Sequence, residues 1–145
     1  MTRKDKRTLC LLGLLSIVSV FLLTTHVFGN RIDWYSQHVV IGDALRHAIR
    51  SEGTLCPTYI KELMGGGNIY HFSYYGYLRP DILIGALLIH IDMQTIIIAY
   101  SVLMMTLSVL CCYIFLRQHT KDENICIFVS LLVLLSSIFF HSHKQ

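Results

Sequence analysis

Formal charge is what this chain has least of. Asp, Glu, Lys and Arg make up 14% of its 145 residues, against about 25% in an average soluble domain. With 54% apolar residues and a mean hydropathy of +0.56, it lacks the polar surface a water-facing globule needs. The composition therefore predicts an integral membrane protein. A net charge of +3, unevenly spread, does not point to nucleic acid.

Metal and disulfide signatures are missing too. The five cysteines, Cys10, Cys56, Cys111, Cys112 and Cys126, contain no C-x-x-C pair, and all but Cys56 lie in or beside apolar runs. They read as small buried residues rather than a disulfide framework or zinc site. The eight histidines (His26, His38, His47, His71, His90, His119, His141 and His143) are scattered without an H-E-x-x-H pattern, so neither a metal site nor a cofactor is expected.

Long apolar runs are what the chain does have. Residues 1–7 hold Arg3, Lys4, Lys6 and Arg7 and read as a cytoplasmic N-terminus. Residues 8–28, "TLCLLGLLSIVSVFLLTTHVF", carry no formal charge over 21 positions. As a helix they reach roughly 31 Å, enough to cross a hydrocarbon core of about 30 Å. A cleaved signal peptide is the rival, but its apolar region is usually about 7–15 residues with an A-x-A-like end, and "VFG" is a poor match. Residues 93–116 form a second predicted span, 117–124 a short cytoplasmic loop, and 125–140 a third, thinner span of roughly 24 Å. Residues 141–145 close the chain. Orientation follows from the basic residues beside the short loops: residues 29–92 then lie outside the cell. The long spans contain no Asp, Glu, Lys or Arg, which disfavours a transporter or channel.

A loop of some sixty residues without structure would be unusual. Trp34, His38, Ile41, Leu45 and Ala48 fall on one stripe at helical spacing, which predicts an amphipathic helix over 34–52 at the outer membrane surface. Asp33 sits where an N-cap belongs and Gly53 where a C-terminal glycine belongs. "DILIGALLIHI", 81–91, is too short to span and predicts a short interfacial helix, with Pro80 at its start. The expected fold is all-α: three transmembrane helices and a structured extracytoplasmic loop.

Within that loop Asp33 is the strongest candidate for chemistry. A carboxylate at the lipid–water boundary can take a proton from a sugar hydroxyl or hold a cation. The plainer reading, a cap on helix N–H groups, is compatible with it. Gln37 and His38 lie one turn on and could contact a polar ligand. Gly65, Gly66, Gly67 and Asn68 offer exposed backbone N–H groups that can cradle a phosphate, or simply a flexible turn; no P-loop lysine follows. "IYHFSYYGYLRP" supplies Tyr74 and Tyr75 as flat faces for a sugar ring or as interfacial anchors. Arg79 suits a lipid phosphate or an anchoring role.

"DWYSQHVVIGDALRHAI", then "GGGNIYHFSYYGYLRPDILIGALL", then an apolar run ending "CCYIFLR" resembles the N-terminal part of the YfhO family of bacterial membrane proteins, over about residues 8–117. The resemblance implies a GT-C-type glycosyltransferase. Such an enzyme moves a sugar from a polyprenyl-phosphate carrier to a cell-envelope polymer, such as lipoteichoic acid, on the outer face of the plasma membrane. It also implies that Asp33 is the catalytic carboxylate; beside it, Gln37, His38, Gly65–Asn68, Tyr74, Tyr75 and Arg79 are expected to contact the substrate. Family members are expected to have many more spans, so the expectation is an N-terminal portion, truncated at its C-terminal end (141–145) and inactive alone. The competing expectation is a small non-catalytic multi-pass protein that serves as an accessory or partner-binding subunit.

Overall fold

The structure is a computed structural model and describes residues 3–23, 31–61, 63, 65–76 and 78–142. Helices dominate: α1 (Arg3–Leu23), a π-helix (Arg31–Val39), α2 (Val40–Glu52), a 3-10 helix (Ile69–Tyr75), α3 (Pro80–Leu87), α4 (Met93–His119) and α5 (Glu123–Ser142). Two short strands, β1 (Tyr59–Ile60) and β2 (Gly67–Asn68), pair antiparallel with Tyr59 opposite Asn68 and Ile60 opposite Gly67. This hairpin departs from the all-helical expectation. The chain forms two compact units, one of residues 1–29 with 101–145, the other of residues 30–100.

Among the described residues one helix, α4, is long and apolar enough to cross a membrane; α5 adds a shorter apolar stretch, Glu123–Ser136. Of the expected first span, residues 8–23 lie in α1 and 24–28 fall outside the described residues. In α5 the side chains from Ser137 onward, and residues 143–145 altogether, also fall outside them.

In the first unit Leu12 of α1, Val109 and Tyr113 of α4, and Cys126 and Leu134 of α5 share one buried cluster. Buried hydroxyls are satisfied locally: Ser16 donates to Leu12 O and Ser130 to Cys126 O, both at 2.8 Å. That pattern removes the cost of an unpaired polar group in an apolar setting. Outward-facing side chains are apolar as well, including Leu11 and Leu14 of α1, Leu107 and Phe115 of α4, and Phe128 and Leu132 of α5. On α4, the one described helix of membrane-crossing length and composition, an apolar outer surface suits lipid. Polar contacts gather at one end. Arg117 forks onto Asp5, Lys4 pairs with Glu123 at 2.5 Å, and Thr8 donates to the same carboxylate at 2.9 Å. Asp122 caps α5, accepting from Asn124 N at 2.9 Å.

In the second unit Ile41, Leu45 and Ala48 of the predicted stripe are buried in the core and Trp34 packs partly against it, while His38 is half-buried outside it. Ile41, Ala44, Leu45, Ala48 and Ile49 of α2 pack with Ile60, Ile69, Ile82, Met93 and Ile97. Leu45 is fully buried; a leucine in that state contributes about 1.5–3 kcal/mol. Gly53 takes the left-handed conformation, φ 64°, and ends α2. Glu52 accepts the amides of Thr58 and Tyr59 at 3.1 and 3.3 Å, which carries the chain from α2 into the hairpin.

The interfacial helix is shorter than expected. It stops at Leu87, and a turn of Leu88–Ile91 leads to Asp92, which caps α4 through Thr95 N at 3.3 Å. Two arginines of α2 explain the stop. Arg50 Nη1 donates to Ala86 O at 3.1 Å and Arg46 Nη1 to Ile91 O at 2.6 Å. The Ala86 carbonyl, left without an intrahelical partner when α3 ends, is satisfied from outside.

Candidate functional site

The residues singled out from the sequence all fall in the second unit. Helical structure is already present at Arg31, so Asp33 lies inside a helical segment rather than at the N-cap in front of it. Its side chain, like those of Tyr74 and Tyr75, falls outside the described residues. The helix that carries Asp33 is a π-helix of nine residues, a rare conformation found mostly as single turns and frequently at functional sites. Gln37 and His38 share it and are half-buried. The His38 ring lies 6.3 Å from Trp34, centroid to centroid, tilted by 47°.

The glycine run has a specific architecture. Gly65 and Gly66 have φ of 76° and 98°, values open to glycine and strained for other residues. At Gly66 a Cβ would collide with the Tyr59 phenol. Gly66 N donates to Leu63 O at 2.9 Å, and Gly67 and Asn68 form β2. The Asn68 carbonyl oxygen caps the 3-10 helix through Tyr70 N at 3.0 Å. These bonds commit the amide of Gly66 and the side chain of Asn68 to the chain's own turn.

The "YYGYLRPD" segment is likewise organised around one turn. Gly76 has φ 84°, and a Cβ there would meet Arg79 Cδ at 2.5 Å. Arg79 N donates back to Gly76 O at 2.7 Å. The guanidinium of Arg79 forks onto Asp81, Nε to Oδ1 at 2.9 Å and Nη2 to Oδ2 at 2.5 Å. Asp81 is 1% exposed, a position a carboxylate holds only when it is paired. Pro80 occupies the first turn of α3, where its missing N–H is no loss. The fork expected to face a phosphate therefore grips a buried carboxylate.

Sequence reading passed over a second polar group on α2. Asp43 Oδ1 accepts from Arg46 Nε at 2.7 Å and lies 2.6 Å from Arg46 Nη2, while Asp43 Oδ2 lies 3.9 Å from His47 Nε2. Arg46 is buried, whereas Asp43 and His47 are exposed by more than a third. The arrangement holds one carboxylate in a fixed pose beside an imidazole on an open helix face. An i, i+3, i+4 run of Asp, Arg and His was the available signal; it resembles an ordinary solvated helix face. Among the described residues no group of three or more His, Cys, Asp or Glu is placed to hold a metal ion.

Compared with known proteins, the chain matches no family model, no curated protein and no solved structure.

Proposed function

We propose that this chain corresponds to the N-terminal portion of a YfhO-like, GT-C-type glycosyltransferase. In that reading α1, α4 and α5 cross a bacterial plasma membrane three times with the N-terminus in the cytoplasm, and residues 29–92 form a structured loop on the outer face. A polyprenyl-phosphate-linked sugar is the donor and a cell-envelope polymer such as lipoteichoic acid the acceptor. Asp33 deprotonates or orients the acceptor hydroxyl as the sugar–phosphate bond breaks, with Gln37 and His38 beside it on the π-helix. Tyr74 and Tyr75 offer ring faces to the sugar, and the turns at Gly65–Asn68 and Gly76–Arg79 shape the surrounding surface. Enzymatic activity belongs to the complete enzyme, not to this portion alone. The observation that carries the reading is a folded unit, rich in polar and aromatic side chains, that takes in the first residues of a membrane-length apolar helix.

The test is transfer of labelled sugar from a polyprenyl-phosphate donor in membranes that carry the segment within a full-length chain. Asp33→Asn is expected to cut the rate by orders of magnitude at unchanged protein level. Near-normal transfer by that variant rejects the catalytic assignment.

A second reading, a non-catalytic accessory or partner-binding subunit, is favoured by the internal engagement of Arg79 with Asp81 and of Gly66 N with Leu63 O. It predicts that Asp33→Asn changes no transfer rate while substitutions at the aromatic segment abolish capture of a membrane partner.

A further inference from the structure

The turn between α3 and α4 carries an apolar surface that the core leaves uncovered. Leu87 is 80% exposed, and Ile84, Leu88 and Ile91 are exposed beside it in the sequence. These side chains are tied to the start of the membrane-length helix. Ile91 precedes Met93 by two residues, so their Cα atoms are at most about 7.6 Å apart. Met93 packs against α3 closely enough that a Cβ on Gly85 would lie 2.9 Å from its Sδ. Arg46 fixes the turn through Ile91 O. Where α4 enters a bilayer, the Leu87–Ile91 turn is therefore held at the same depth.

A cation stands at that level. Arg50 is exposed and spends one N–H on Ala86 O, the carbonyl of the peptide that joins Ala86 to Leu87. A guanidinium has five N–H donors in a fork that matches phosphate oxygens. The nearby carboxylates are engaged: Asp43 with Arg46, Glu52 with the Thr58 and Tyr59 amides, and Asp92 with Thr95 N. An apolar prong beside an anchored guanidinium, at the mouth of a span, complements a lipid whose chains lie below a phosphate.

We infer that the α3–α4 turn is a phospholipid-docking surface: Leu87, Leu88 and Ile91 enter the acyl region of the leaflet while Arg50 holds the headgroup phosphate of a membrane glycerophospholipid. The inference rests on α4 being a span; it is independent of sugar transfer. A single-turn prong of this kind reaches the headgroup–acyl boundary rather than crossing it.

The test uses the full chain with its native cysteines replaced by alanine, reconstituted in vesicles of phosphatidylcholine and phosphatidylglycerol. Spin labels are placed by Leu87→Cys, Leu88→Cys and, on the hairpin loop, Lys61→Cys. At 87 and 88 collision with oxygen is expected to exceed collision with a water-soluble nickel chelate severalfold, and at 61 the order is expected to reverse. Equal nickel access at 87 and 61 places the prong in water and overturns the proposal. Shielding of 87 from both reagents means a protein partner covers it and overturns it too. For the headgroup, native mass spectrometry of the chain released from the same vesicles is expected to show fewer retained phosphatidylglycerol molecules for Arg50→Gln than for wild type, with Arg50→Lys between them. Equal retention by all three removes Arg50 from the site. Loss of sugar transfer with an oxygen-accessible label at 87 bears on the enzymatic reading alone.

Discussion

Arg117 closes a fork on Asp5 across 112 positions of sequence, with Nε at 3.0 Å and Nη2 at 2.9 Å from Oδ1. Asp5 is the single acid among the four basic residues at the start of the chain, and it is buried. The same guanidinium donates from Nη1 to Lys121 O at 3.0 Å, so one side chain binds α1 to the turn after α4. The pair is expected to be strongly coupled. Asp5→Asn and Arg117→Gln should each lower the melting temperature in detergent by several degrees, and the double variant should be no worse than the more damaging single. Additive losses would mean the two residues act separately.

Lys4 and Glu123 predict a pH dependence. The hydrogen bond from the Lys4 ammonium, then that from Thr8, holds the Glu123 carboxyl below its ordinary value, while the same bond to Glu123 raises Lys4 above its own. A lowered carboxylate contributes stability that is complete above the unfolded pKa, about 4.3, and is lost as pH falls through the folded value. A raised lysine contributes stability that is complete below about 10.4 and is lost as pH rises through its folded value. Thermal stability should therefore be flat near neutrality, with a small acid loss that Glu123→Gln removes. An unchanged acid limb in that variant would contradict the pairing.

Gly85 and Met93 mark a close helix-to-helix approach in the second unit. A Cβ on Gly85 would lie 2.9 Å from Met93 Sδ and 3.1 Å from Arg46 Cδ. Gly85→Ala is expected to cost about 1–3 kcal/mol through overpacking, measured by denaturant or thermal unfolding. Met93→Ala empties a core position and is costly by itself, but the double variant should lose less than the sum of the two singles, because the methionine is what the new methyl strikes.

At Gly76 the left-handed φ and the Arg79 stem act together. Gly76→Ala should cost about 1–2 kcal/mol for the backbone alone, and more once the Arg79–Asp81 fork is displaced. Asp81→Asn in the wild-type background weakens the same fork, so the two substitutions together should cost less than their sum.

What could be read from the sequence was what depends on spacing along the chain. The stripe through Ile41, Leu45 and Ala48 located the buried face of α2 because helical periodicity is local. Gly53 and Pro80 marked helix boundaries for equally local reasons, the first by tolerating φ 64° and the second by lacking an N–H. The pairings that shape the second unit follow no such rule. Arg46 and Arg50 sit on a helix that reads as amphipathic, yet their partners are carbonyls 45 and 36 residues away. The hairpin depends on two-residue strands, too brief for an alternating pattern to register, and the π-helix at Arg31–Val39 has no composition of its own. Asp33 was legible as a polar residue near the end of an apolar run, but its side chain lies outside the described residues, and its role remains a proposal.

The central claim is that residues 29–92, ahead of α4, face the outside of the cell, and Cys56 of the second unit reports on it directly. It is an exposed thiol in that unit, while Cys10, Cys111, Cys112 and Cys126 lie on the apolar helices of the other. Intact cells producing the chain are treated with a membrane-impermeant maleimide, with Cys56→Ser as control. Labelling without permeabilisation that disappears in the control is the predicted result. Labelling of Cys56 only after the membrane is opened would put the unit, Asp33 included, on the inner side, away from any carrier-bound sugar.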